Sequence, residues 1–202
     1  MSKLLLATSN IGKLKEYQVL LEGIPFKLVS LRDMGISTSV AETGATFEEN
    51  AILKAEGYAR LSHLLTLADD SGLEVDALGG EPGVLSSRYA GENATDEERV
   101  AYLLSRLKGV PWEKRSARFR CVIAIAKPEG GTELAEGRCE GLIALEPRGN
   151  NGFGYDPVFY IPSLGKTLAE LPAATKNRYS HRGDAARKAR TLLERLDGNR
   201  QT

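Results

Sequence analysis

Two Thr-x-x-Glu signatures, Thr46 to Glu49 and Thr95 to Glu98, do most to restrict what this chain can build. Such a capping box satisfies orphan N–H donors reciprocally at a helix start, so each marks where a helix begins. The first opens residues 46–61. The second opens a segment in which Val100, Leu103, Leu104 and Leu107 recur at amphipathic spacing. Apolar runs at 4–7, 26–31, 64–68, 116–127, 141–145 and 156–161 read instead as strands. Helices are also predicted over 12–23, with Leu14, Tyr17, Leu20 and Leu21 on one face, and over 180–196, with Ala185, Ala189, Leu192, Leu193 and Leu196 inward. Neither a linker nor a repeat interrupts this alternation. One α/β domain over residues 1–202 with a mixed sheet is expected, a second lobe being built from about 70–150.

Composition narrows the function classes. Lys plus Arg and Asp plus Glu both total 27, so the net charge is zero, which argues against a general nucleic-acid binder. No apolar stretch approaches the roughly 18 residues of a membrane span. The N-terminal MSKLLLATSN has too short an apolar run for a signal peptide. Cys121 and Cys139 lack C-x-x-C spacing and read as buried thiols in a reducing compartment. A cytoplasmic protein is expected.

Several short segments carry groups suited to chemistry. LTLADDSGLEVDALGG (65–80) ends an apolar run in two adjacent carboxylates, Asp69 and Asp70, before a Gly- and Pro-rich stretch over 69–94 that reads as a long ordered loop. The pair is either a solvated turn or a meeting place for positive charge. ATSNIGKLKE (7–16) follows a strand and opens a helix. Thr8, Ser9, Asn10, Ile11, Gly12 and Lys13 could present backbone N–H groups and an ammonium to an anion, or Asn10 or Ser9 could simply cap the helix. Neither GK pair is a P-loop, because Tyr160 and Ala7 occupy the positions where that loop needs its first glycine. Lys54 and Asn50 share a helix face, and Glu42 becomes a candidate cation ligand only if it converges with the two aspartates. NNGFGYDPVF (150–159) offers close backbone approach and an aromatic platform. TKNRYSHRGDAARKA (175–189) gathers Lys176, His181 and Arg182 near a helix start, where cations oppose the helix dipole. Phosphate donors, carboxylates for a hard cation, an aromatic platform and a polar base reader together describe a nucleoside triphosphate site, with water as the simplest acceptor.

LATSNIGKLKE, TFEENAILKA, ADDSGLEVDALGGEPGVLSSRYAG, NNGFGYDPVF and GKTLAELPAATKNRYSHRGDA span residues 6–185. In these segments the chain resembles the inosine triphosphatase family of noncanonical purine triphosphate pyrophosphatases. Asn151 and Ser87 depart from the family pattern but carry no assigned chemistry. The resemblance implies Mg²⁺-dependent hydrolysis of ITP, dITP and XTP to the monophosphate and pyrophosphate by a homodimer. It also implies a long mixed twisted sheet with flanking helices, in two lobes around a central cleft. Neither nucleic acid nor a membrane is an expected partner.

Carried over by position, the resemblance implies that Thr8 to Lys13 hold the triphosphate, with Lys54 a further phosphate contact and Ser71 touching the substrate. Asp70 would be the catalytic carboxylate and a metal ligand, with Glu42 the second ligand and Asp69 in support. Phe153, Gly154, Tyr155 and Asp156 would flank base and ribose, and Lys176, His181 and Arg182 would recognise the base. The alternatives are a pyrophosphatase for modified pyrimidine triphosphates and a nucleotide sensor without turnover. Because adjacent residues on an extended chain point opposite ways, Asp69 and Asp70 are expected to do different work: Asp70 the chemistry, Asp69 the turn.

Overall fold

The computed structural model describes residues 1–198. Seven strands form one sheet: β1 (Ser2–Leu6), β2 (Phe26–Ser30), β3 (Leu65–Val75), β4 (Ser116–Ala126), β5 (Thr132–Ile143), β6 (Phe159–Ile161) and β7 (Lys166–Thr167). Their order is β2-β1-β3-β4-β5-β6-β7. β1 runs parallel to both β2 and β3, with Ser2 opposite Phe26 and Leu4 opposite Leu65. β5 with β6 and β6 with β7 are antiparallel, so the sheet is mixed as expected. Among the described residues no helix is long and apolar enough to cross a membrane.

The helices start where the side chains dictate. α1 (Ile11–Leu20) is capped by Asn10, α2 (Phe47–Ser62) by Thr46, and α3 (Asp96–Arg106) by the complete Thr95–Glu98 box. α4 (Ala173–Tyr179) and α5 (His181–Gly198) follow. α4 is absent from the sequence-based expectation because AATKNRY is short and carries no apolar stripe.

Several differences from expectation involve the sheet, among them the start of β6 at Phe159 rather than 156 and the unexpected two-residue β7. β3 does not stop ahead of the two aspartates; it continues through them to Val75, and both carboxylates are buried. Buried acids are tolerated in a strand when cations and hydrogen-bond donors meet them, as described below. β5 begins at Thr132 rather than near residue 141. From Leu134 to Glu140 its exposure alternates strictly, but the buried members are Ala135, Gly137 and Cys139, too small to register as an apolar strand face.

The chain divides into two compact units, one comprising residues 1–70, 121–137 and 182 onward, the other 71–120 and 138–181. The second is therefore discontinuous, whereas the sequence pattern outlines one stretch over about 70–150. The first has a core built on Leu4, Leu6, Tyr17, Leu67, Ile123 and Leu193. Leu73, Leu103, Phe119, Ile143, Phe159 and Leu168 are central to that of the second.

Glycine is demanded where backbone meets backbone. Gly149 has φ +81°, and a Cβ there would stand 2.3 Å from the carbonyl group of Ala169. Both effects act against a side chain, so Gly149→Ala is expected to cost about 2 kcal/mol or more. A urea midpoint unchanged from the parent would contradict this packing.

Candidate active site

The first unit holds a buried ionic cluster centred on Asp69. The Asn10 cap, whose Oδ1 accepts the Lys13 N–H at 3.0 Å, fixes the first turn of α1. From that turn Lys13 extends its ammonium to 2.9 Å from Asp69 Oδ2. Arg182, at the start of α5, is almost wholly buried; its Nη1 donates to Glu16 Oε2 at 2.6 Å and its Nε lies 3.6 Å from Asp69 Oδ2. The Cys121 thiol points at the same Asp69 oxygen from 3.7 Å and meets the Tyr17 hydroxyl at 3.6 Å.

Each titration follows from this arrangement. Burial works against the charge on Asp69, but Lys13, Arg182 and Lys54 outweigh it and hold the carboxyl well below its ordinary range. Burial likewise opposes the charge on Arg182, and Asp69 and Glu16 overcome it, so the guanidinium stays ionised. Cys121 goes the other way: burial, reinforced by Asp69, pushes its thiol up to about 12, which leaves it neutral and unreactive.

Asp70 looks the other way along the strand. Its Oδ2 accepts from Asn50 Nδ2 at 3.1 Å, and its Oδ1 lies 4.0 Å from Lys54 Nζ. Lys54 is also 3.3 Å from Glu42 Oε1. Burial is the largest influence on Asp70 and raises its pKa; Lys54 and Lys13 oppose that rise and Glu42 adds to it. Two neighbouring aspartates on one strand thus occupy opposite electrostatic environments. Asp69 is committed to its charge, whereas Asp70 holds its charge reluctantly.

Sequence reasoning placed Asn50 on the Lys54 face of the helix without giving it a role. In the structure its amide joins two segments. While Nδ2 donates to Asp70, Oδ1 accepts the Gly44 N–H at 2.8 Å and so ties down the loop that carries Glu42. Its signal in the sequence was the i,i+4 spacing to Lys54; the link to Gly44 has none.

The second unit carries the remaining expected residues. Asp156 is buried, accepts the Phe153 N–H at 2.9 Å and forms a short ion pair with Lys176, a buried residue of α4. The Lys176 ammonium lies 4.7 Å from the centre of the Phe153 ring. A Cβ on Gly152 would fall 2.0 Å from an Asp156 oxygen, so only glycine lets this turn close. Tyr155 is not a surface platform. Its ring is buried in the core and its hydroxyl donates to Ser86 O at 2.8 Å, leaving only backbone to offer a ligand. His181 is buried and stacked on Phe119, with ring centres 4.5 Å apart and planes 14° apart.

The expected residues thus divide between the units. Thr8 to Lys13, Glu42, Lys54, Asp69, Asp70 and Arg182 belong to the first, and Ser71, Phe153 to Asp156, Lys176 and His181 to the second. The Arg182 guanidinium is engaged by Glu16 and Asp69, counter-charges that allow a cation to be buried.

No group of three or more His, Cys, Asp or Glu that could hold an ion gathers among the described residues. Asp70 and Glu42, bracketing one ammonium, are a two-carboxylate set. Mg²⁺ is ordinarily held by one or two carboxylates, with waters and substrate phosphates filling its octahedron.

The model of the Ham1 family matches residues 4–192. A dITP/XTP pyrophosphatase of Bacillus subtilis (strain 168) is 49% identical over 194 residues, covering 96% of this chain and 98% of that one. One from Geobacter sulfurreducens is 52% identical over 185 residues, covering 92% and 93% respectively. Among solved structures, a HAM1 protein from Coxiella burnetii superposes with a TM-score of 0.88 at 47% identity, over 96% of this chain and 98% of that one.

Opposite stability changes are expected from the two aspartates. Because the folded-state pKa of Asp69 is depressed, its contribution is present above the unfolded value of about 3.9 and is lost as pH falls through the folded value. At neutral pH, Asp69→Asn should cost about 3–5 kcal/mol by leaving buried cations uncompensated. The raised folded-state pKa of Asp70 reverses the sign: its stabilisation is present below about 3.9 and is lost as pH rises through the folded value. Asp70→Asn should therefore melt above the parent at pH 7 in EDTA, and the gain should shrink toward pH 4. Melting temperatures that shift in the same direction for both variants would contradict these environments.

Proposed function

The chain belongs to the Ham1 family, and on that premise we propose that it is a nucleoside triphosphate pyrophosphatase acting on dITP, ITP and XTP. The bond cleaved is the α–β phosphoanhydride, giving the monophosphate and pyrophosphate. Curated relatives at about half identity over nearly the whole chain carry the name dITP/XTP pyrophosphatase, which supports the substrate class. The observation that carries the chemistry is the placement of Asp70, one oxygen held by the Asn50 amide at 3.1 Å and the other 4.0 Å from the Lys54 ammonium, which also meets Glu42. A fixed carboxylate beside a second one can orient a water and hold a divalent cation.

In this reading Asp70 and Glu42 would hold Mg²⁺, which when bound supplies charge neutralisation to the phosphates. Asp70 orients the attacking water and accepts its proton, while Asn50 keeps the carboxylate from rotating. Lys54, already bracketed by Glu42 and Asp70, shifts part of its charge to an arriving phosphate. Lys13 keeps Asp69 ionised and brings positive charge to the α1 N-terminus, whose first turn carries the Ile11 and Gly12 N–H groups. Arg182 secures Asp69 and Glu16.

Base selection falls to the Phe153–Asp156 turn, Lys176, His181 and Arg182. Hypoxanthine and xanthine carry a 6-oxo acceptor where adenine carries an amino donor. Fixed donors therefore lose a partner when adenine enters, a large penalty in a desolvated site. The family resemblance also supports a homodimer.

Incubation of the protein with dITP and Mg²⁺ should release pyrophosphate and the monophosphate, with ATP a poor substrate and EDTA abolishing turnover. Orthophosphate as the first product, or a preference for ATP, would sink the assignment. Asp70→Asn should lower kcat by at least about a hundredfold while dITP binding stays measurable by calorimetry.

A further inference from the structure

A closed ring of contacts in the second unit holds the backbone at Gly154 and Tyr155, and it passes through Asp96, a residue outside the site described above. Asp96 opens α3, and its Oδ2 accepts the Gly154 N–H at 2.7 Å. Its other oxygen pairs with Arg99, one turn along, and Arg99 Nη1 donates to the carbonyl of Ser87. The ring closes through Tyr155, whose hydroxyl donates to the neighbouring carbonyl, Ser86 O. Residues 154 and 155 are therefore tied to residues 86 and 87 by two routes, one through a buried phenol and one through Asp96 and Arg99.

Packing does not provide this restraint at Gly154. A cavity of about 340 Å³ lies there, with Val100, Ala101 and Leu104 of α3 on one side and Pro147, Gly154 and Pro157 on the other. A Cβ built on Gly154 would meet no atom within 4 Å. With open space beside it and φ +62°, the backbone at Gly154 itself is held by a charge-assisted hydrogen bond, alongside the anchors on its neighbours Phe153 and Tyr155. Phe153, the immediate neighbour, carries the ring near Lys176, so a shift at Gly154 is passed to that ring.

We propose that Asp96, braced by Arg99, is a positioning residue that fixes the Phe153–Asp156 turn and thereby sets affinity for the purine base. The proposal rests on the reading that this turn flanks the base. Asp96 does not touch the reacting phosphates in that reading, so its loss should act on KM rather than on kcat.

The test is steady-state pyrophosphate release from dITP by the full chain with Mg²⁺, comparing D96A, D96N, E97A and F153A, each with its melting temperature. The Asp96 side chain is 39% exposed at a helix end, a setting in which substitution leaves the fold intact. D96A is expected to raise KM about tenfold, the factor carried by one hydrogen bond to a charged group, with kcat within about twofold of the parent. D96N keeps an acceptor oxygen for the Gly154 N–H and should recover most of that loss. E97A removes a like charge from the same first turn of α3 and should match the parent. A KM for D96A equal to that of E97A would overturn the proposal, as would a D96N no better than D96A. If D96A fails in that way while F153A still raises KM, the positioning role falls and the base-site reading stands. If F153A also leaves KM unchanged, both fall.

Discussion

Everything in the first unit is organised around one buried carboxylate. Asp69 stands in the middle of a strand, where an isolated charge would be intolerable, and it stays ionised because Lys13 and Arg182 meet it. Arg182 in turn is balanced by Glu16. Two acids and two bases thus neutralise one another and link α1, β3 and α5, with the Cys121 thiol of β4 completing the shell. This arrangement permits β3 to run on through the aspartates. It also fixes where α1 and α5 begin relative to the strand.

With Asp69 committed, Asp70 is left to do something else. The alternation of a β-strand turns its side chain toward α2, where an amide and an ammonium await it in place of a full set of counter-charges. The result is two chemically identical groups, one residue apart, with pKa values displaced in opposite directions. Such divergence is a common mark of a working site, since acid and base roles are distinguished by environment and not by residue type. Asn50 contributes by geometry. One buried amide holds the Asp70 oxygen and the backbone of the Glu42 loop together, so the two candidate metal ligands are not independent.

The second unit solves a different problem, the holding of a glycine-rich turn. Gly149 and Gly152 permit backbone and carboxylate to come closer than any side chain would allow. Asp156 closes the turn on the Phe153 N–H and is itself anchored by Lys176. Tyr155 contributes its ring to the core and its hydroxyl to Ser86, a structural use of a residue whose place in the motif suggests ligand contact. His181 owes its orientation to Phe119, a stacking partner that sequence inspection assigns only to a strand face.

The sequence by itself determined the helix starts at Thr46 and Thr95, the mixed α/β class and the residues bearing ionisable chemistry, because caps and apolar periodicity are local signals. It also foretold that the Asp69 and Asp70 side chains would diverge, since strand geometry needs no tertiary knowledge, but it put Asp69 at a turn where the structure has an unbroken strand. Only the tertiary structure decided which partners each aspartate meets, because Lys13, Arg182, Asn50 and Lys54 converge on β3 from distant parts of the chain. For the same reason the structure supplied the counter-charges of buried Arg182 and set the Tyr155 ring in the core. It also extended β5 back to Thr132, where the buried positions are too small to signal themselves. Charge compensation and close packing are properties of assembled neighbours, and no window of sequence contains them.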